Sequence, residues 1–423
     1  MKRIIKTVAV IGGGPCGCSL ALLLKRKGYK VGVFYIEKRP EIIVGESLVP
    51  AIIPYLRALG IEDEVKKYST YKPGASVWID ADDESTAAFT SAGGTLPHYA
   101  YNVPRVKFDK TIFDLAVAEG VTFFKQVATI EYIAETDEIK LNQDTINSID
   151  DYFTGQPDLI VDASGRSRTI SRLVNIPAKE GNRKDFAIFA HLSGAENISP
   201  FNIHLHRFSK GWFWRIPLPD RISTGIVIKP ELLKEYGQTK EEQYDNLLKT
   251  DETLKKFTAN AKRETGVQLY SNYQLISSRL YGKNWLLVGD AGGFLDPIFS
   301  SGLFLAIKGT FEAVKAIENY NEQSLKKFQK DQLRELKLWQ QLVDTWYSGR
   351  LFTLIKAGQD RLDTSFGRLV EPFIKRHLTR IFTGEAVYSS ISRGFLAFVL
   401  GPMIGMMKMA RLHKRNVKDY EIK

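Results

Sequence analysis

Cysteine is scarce in this chain. Cys16 and Cys18 are the two cysteines among 423 residues, and both fall in one short glycine-rich turn where they are poorly placed to bridge. That excludes a disulfide framework and points to a reducing, cytoplasmic compartment. A C-x-C pair is also too small a ligand set for zinc, so no metal site is expected. Long apolar runs are lacking as well. None reaches the roughly 18 residues that a bilayer-spanning helix needs, and no transmembrane helix is expected. The start, MKRIIKTVAVIGGG, carries charge and then an apolar run, but it enters glycines without a cleavage site. It reads as a first strand, not a secretory signal. Internal repeats and low-complexity segments are missing. Lys and Arg outnumber Asp and Glu by 59 to 48, a formal charge of +11, yet the excess is spread along the chain. With no basic block and interleaved aromatics, nucleic acid is not an expected partner. The charge suits a basic solvated surface or an acidic partner.

What is present is an alternation of apolar strands and helices. Thr7 to Ile11 is an apolar run fit for a buried parallel strand; a glycine turn, a helix ending at Gly28 and a second strand, KVGVFYIE, follow. This is a βαβ opening. PDLIVDA at 157–163 reads as another buried strand, and so does the run into glycines near 286. The segment from about 186 to 228 alternates strongly and reads as a β-meander, a second sheet. Residues 231–261, 301–318, 322–357 and the basic tail from 365 read as helices.

Three motifs carry chemistry. In Gly12-x-Gly14-x-x-Gly17 the glycines permit a tight turn, close approach of backbone to a pyrophosphate and close helix–strand packing. The helix that follows points its N-terminus at the negative charge. Glu37 ends the second strand, where an acidic residue accepts hydrogen bonds from ribose hydroxyls. Asp162, after a buried strand, and Gly289-Asp290, after another, are the second and third motifs. One dinucleotide contacted at three separated places indicates FAD, and no second G-x-G-x-x-G marks a nicotinamide domain. The expected fold is α/β, a Rossmann-type FAD-binding domain interleaved with an antiparallel β-sheet substrate domain. The first takes residues 1–75, 105–185 and 270–320, the second 76–104 and 186–269, and a helical C-terminal region takes 321–423.

The glycine turn, Glu37, DASGRSR at 162–168 and LLVGDAGGFLDP at 286–297 together resemble a large FAD group over roughly residues 5–320. That group includes aromatic hydroxylases, geranylgeranyl reductases and flavin-dependent halogenases. Three further segments are similar to the halogenases. Gly211-Trp212-Phe-Trp214-Arg-Ile-Pro217 resembles their W-x-W-x-I-P signature. Two indoles at i and i+2 of a strand face one way and make an apolar wall. The resemblance implies that this wall separates flavin from substrate. Tyr71-Lys72-Pro-Gly-Ala75, after GESLVPAIIPYLRALG, resembles the segment with the catalytic lysine, which makes Lys72 that lysine. Asp296-Pro297-Ile-Phe-Ser-Ser301-Gly302 resembles the segment beside the flavin ring, whose amides near Ser301 and Gly302 hold halide. Arg105, before Phe108-Asp109, resembles an arginine near the flavin. One position departs. Tryptophan halogenases carry a glutamate where this chain has Phe299, which argues against free tryptophan as substrate.

The resemblance thus implies a halogenase-like enzyme fed with FADH2 by a separate flavin reductase. A flavin C4a-hydroperoxide would oxidise chloride or bromide to hypohalous acid. Lys72 would then deliver the halogen to a phenolic or pyrrolic ring, free or tethered to an acyl carrier protein. The rival reading is a non-halogenating FAD monooxygenase or reductase acting on an apolar polyene or isoprenoid. A third, a flavin-binding sensor without a reaction, sits poorly with the Trp212, Trp214 and Lys72 matches. GFLAFVLGPMIGMMKMARLHKR at 394–415 joins an apolar run to a basic end. It reads as a helix closing the domain, or as a segment in peripheral contact with a membrane.

Overall fold

The computed structural model describes residues 3–37, 40–80, 83–195, 201–359, 365–403 and 417–423. Thr7–Ile11 is the centre of a five-stranded sheet in the order Trp285–Leu287, Leu159–Asp162, Thr7–Ile11, Lys30–Phe34 and Thr122–Phe124. Every pairing in it is parallel. Its strands are short and apolar because helices cover the sheet; Leu159–Asp162 is buried at all four positions. Three stretches of chain far apart in sequence supply adjacent strands.

A second sheet of nine strands grows out of the long strand Ala178–Ser193. Gly211–Pro217 is buried at every residue, since both faces of this sheet are covered. One face turns Trp212 and Trp214 into the main core, and the other turns Phe213 into a smaller core closed by Tyr244, Leu247, Leu254 and Phe257. Those four come from the helices Lys240–Thr250 and Glu252–Thr258. A box of Thr239 and Glu242 caps the first of them. The sheet is mixed where an antiparallel one was expected. Gly74–Asp80 arrives from the N-terminal segment and lies parallel to Ile203–Phe208. Its hairpin partner, Asp83–Ala88, forms the edge.

After Gly302–Glu318 come Glu322–Tyr347, Arg350–Gln359, Ser365–Thr383 and Ser390–Phe398. The expected helical C-terminal region is therefore present. Leu396, Val399 and Leu400, in the apolar part of the terminal run, are buried in the main core. The rest of that run, 404–415, lies outside the described residues. Among the described residues no helix is long and apolar enough to cross a membrane, and no cluster of three His, Cys, Asp or Glu is fit to hold a metal.

Candidate active site

A cavity of about 720 Å³ runs from the glycine turn to the tryptophan pair. Gly12 opens it with φ +118°, and a Cβ there would stand 2.3 Å from the Ala163 carbonyl oxygen. A Cβ on Gly17 would stand 1.9 Å from the Gly12 oxygen. Only glycine allows these approaches. Gly12 and Gly14 line the cavity, whereas Gly17 lies behind them as the packing glycine. Pro15 begins the helix at a position whose N–H would be unpaired anyway. The two thiols brace the turn: Cys18 donates to the Gly13 oxygen at 3.3 Å and Cys16 to that of Ala306 at 3.6 Å.

Arg105, Gly289, Asp290, Pro297 and Gly302 line the same cavity. Arg105 is anchored by Asp109 at 2.9 Å and by the Val44 carbonyl. Burial pushes the Asp290 carboxyl up to about 6, against the pull of Arg166 and Arg105. A group with hydroxyls to donate would find an acceptor there. Ser300 has φ +56° and Ser301 the right-handed φ −81°, directly before the helix Gly302–Glu318. A left-handed residue followed by a right-handed one is the backbone pattern in which successive amides can line an anion nest. Ser301 itself is buried and outside the cavity wall, and Gly302 opens onto free space.

Besides Gly17, two expected cofactor contacts sit elsewhere. Asp162 is fully buried, and its oxygens accept the amides of Ser164 at 2.9 Å and Ile170 at 2.7 Å. It shapes the turn and leaves the lining to Ala163–Ser167. Glu37 lies beyond its strand, 70% exposed, paired with Lys125 and outside the cavity wall. The remaining groups fit FAD: a glycine cradle at a helix N-terminus, a half-buried acceptor at Asp290 on the cavity wall, and cationic Arg105 and Arg166.

Trp212 and Trp214 form the wall at the sheet end, with ring centroids 5.7 Å apart. Trp214 donates to Ser223 Oγ at 3.2 Å, and Trp212 to Tyr347 Oη at 2.9 Å. Lys72 ends the short strand Thr70–Lys72, 1% exposed, one side chain back from the cavity. Its Nζ donates to Ser47 Oγ at 2.8 Å and to the Leu48 carbonyl at 2.7 Å, and Ser47 lines the cavity. Burial lowers the amine to about 7. Phe299 packs on Trp346 and Phe382, so the site where tryptophan halogenases carry an acid is apolar. Two features escaped sequence reasoning. Glu46 is a buried carboxylate on the cavity wall, 2.8 Å from His191 Nε2, and Tyr347 is the partner of Trp212. Glu46 stands inside the GES run beside Ser47, so an acid within that run was the available signal.

A family model described as tryptophan halogenase matches residues 7–98 and 93–351. The chain is similar to the 1H-pyrrole-2-carbonyl-[peptidyl-carrier protein] chlorinase of Pseudomonas fluorescens, 25% identical over 80% of this chain and 83% of that one. It is 30% identical to the sulochrin halogenase of Aspergillus terreus over 74% of this chain, and it spans 63% of that enzyme's length. Among solved structures, a flavoprotein/dehydrogenase from Cytophaga hutchinsonii superposes with a TM-score of 0.80 at 25% identity, covering 96% of this chain and 100% of that one. The flavin-dependent brominase Bmp2 shares the fold, with a TM-score of 0.75 at 22% identity over 97% of this chain and 100% of that one.

Proposed function

The chain belongs to the tryptophan halogenase family of FAD-dependent enzymes, and from that premise we propose that it halogenates an electron-rich phenol or pyrrole, free or carrier-tethered. The observation that carries the reading is Lys72: an amine buried without a carboxylate partner among its hydrogen bonds, lowered to about 7, and set behind Ser47 on the cavity wall. A structural lysine keeps its charge at the surface or pairs it; a neutral buried amine is a nucleophile and hydrogen-bond acceptor.

Gly12, Gly14, Arg105, Gly289, Asp290, Pro297 and Gly302 would hold FAD, with Gly17 and Asp162 shaping the turns behind them. Bound FAD, delivered reduced by a separate flavin reductase, would supply with oxygen the oxidising equivalent needed to turn chloride or bromide into hypohalous acid. The amides of Ser301 and Gly302 fix the halide. Trp212 and Trp214 keep the organic ring away from that chemistry. The neutral Lys72 amine hydrogen-bonds the hypohalous acid, or takes its halogen with release of water, and presents an electrophilic halogen to the ring. The ring then loses its proton. Phe299 supports a substrate other than free tryptophan, and the pyrrole chlorinase and sulochrin halogenase similarities support a pyrrole or phenol.

The test mixes protein carrying pre-reduced FAD with oxygenated buffer, with and without chloride or bromide. The expected outcome is halide-dependent flavin reoxidation with trapped hypohalite, and a halogenated phenol or pyrrole with wild type but not with Lys72→Ala. Reoxidation indifferent to halide, with no hypohalite, would replace the proposal with a non-halogenating monooxygenase or dehydrogenase.

A further inference from the structure

The two wall tryptophans are anchored differently. Trp214 bonds within its own sheet, to Ser223 on the neighbouring strand. Trp212 reaches out of the sheet to Tyr347, the last residue of the helix Glu322–Tyr347. The indole N–H donates to Tyr347 Oη at 2.9 Å, and the tyrosine O–H donates onward to Asp296 Oδ2 at 2.7 Å. The other oxygen of Asp296 accepts the Ile298 amide at 3.0 Å and caps the turn Pro297–Phe299. That turn leads directly into the Ser301 and Gly302 amides.

Tyr347 is fixed from its other side too. The Arg183 guanidinium lies 4.3 Å over its ring and is itself held by Asp185 at 2.6 and 2.8 Å. The Ile422 amide donates to its backbone carbonyl at 3.0 Å. Burial, with Asp296 and Asp185 nearby, raises the phenol well above its ordinary range. The hydroxyl therefore stays protonated and can serve one donor and one acceptor at once.

We propose that Tyr347 is a positioning residue, whose hydroxyl locks the Trp212 indole to the Asp296–Gly302 turn and so holds the tryptophan wall and the anion nest at fixed spacing. The chemical consequence rests on the halogenase reading above; the mechanical coupling does not.

Tyr347→Phe tests it, since the ring and its stacking on Arg183 remain. Protein with bound FAD is labelled with ¹⁵N-tryptophan, which gives six indole resonances. Trp212→Phe and Trp214→Phe identify two of them by loss. In Tyr347→Phe the Trp212 resonance shifts and its proton exchanges about tenfold faster, the factor that one lost buried hydrogen bond carries. The Trp214 resonance stays in place. Asp296→Asn, at the far end of the chain of bonds, moves the same Trp212 resonance. In the rapid-mixing experiment Tyr347→Phe traps less hypohalite per flavin reoxidised, and the halide concentration for half-maximal effect rises. An unmoved Trp212 resonance, or equal shifts of all six, overturns the proposal. If wild type makes no hypohalite the halogenase reading falls, while the resonances still decide the role of Tyr347.

Discussion

Replacing Lys72 by methionine removes a titrating group that the fold holds far from its ordinary pKa. The amine moves from 10.5 when unfolded to about 7 when folded, through burial. Its folded pKa is the lower, so protons favour the unfolded chain and stability falls as pH drops. The penalty starts near the unfolded pKa, grows by about 1.4 kcal/mol per pH unit, and levels off below the folded one. Between about pH 9 and pH 6 the wild type should lose about 3 kcal/mol from this one group, and Lys72→Met should lose none of it. The substitution has a cost of its own. The Ser47 hydroxyl and the Leu48 carbonyl lose their donor, about 1–3 kcal/mol for each buried group, but that cost does not depend on pH. The informative quantity is therefore the difference in slope. Urea unfolding of wild type and variant across this range measures it, because every other titrating group cancels in the comparison. Parallel stability curves would refute the lowered pKa of the buried Lys72 amine, and with it the main support for its role in halogen transfer.

Three other substitutions probe the cavity and the core beside it. Gly12→Ala forces a Cβ to 2.3 Å from the Ala163 oxygen at φ +118°; it should abolish FAD retention and lower the melting temperature, and a variant that keeps yellow flavin through gel filtration would contradict the cradle. Asp290→Asn removes a carboxyl raised from 3.8 to about 6. Ionisation of the wild-type group takes stability away as pH rises through that window, so the variant without FAD should gain up to about 3 kcal/mol at neutral pH. It should also bind FAD more weakly by isothermal titration; unchanged affinity would remove Asp290 from the site. Phe299→Glu installs the acid of tryptophan halogenases between Trp346 and Phe382. Buried among aromatic rings with no cation beside it in those contacts, the carboxylate should destabilise the fold by several kcal/mol at neutral pH and by less as acid protonates it, which thermal melts at two pH values would check.

Much of the fold was legible because its signals are local. The glycines at 12, 14 and 17 answer to one turn, and the period-two spacing of Trp212 and Trp214 puts both indoles on one face of a strand whatever lies opposite. The three-piece parallel sheet followed from short apolar runs each ending in Gly or Asp. Pairing between distant segments was not legible. Nothing in Gly74–Asp80 says that it will lie parallel to Ile203–Phe208, and that one pairing makes the second sheet mixed. Nor does an aspartate after a strand announce where its oxygens go. Asp290 faces the cavity, whereas Asp162 accepts the amides of Ser164 and of Ile170 in the helix that follows.

The same distinction separates what the site is from how it is held. Residue types at short spacing named the candidates: a lysine after a tyrosine, two tryptophans on a strand, serines before a helix. Their working states come from partners far away in the chain. The Lys72 amine is lowered to about 7 because burial, beside the Leu48 carbonyl and the Phe89 ring, takes it out of water. Glu46 is held by His191, 145 residues on, and Trp212 by Tyr347, 135 residues on. A relative that kept every motif residue but lost such a partner would still carry the family pattern, and its amine or its wall would be set differently. Motif matching therefore identifies the family more securely than the reaction. The partners of Lys72 and Trp212 are where a halogenating member of this fold and a non-halogenating one should differ.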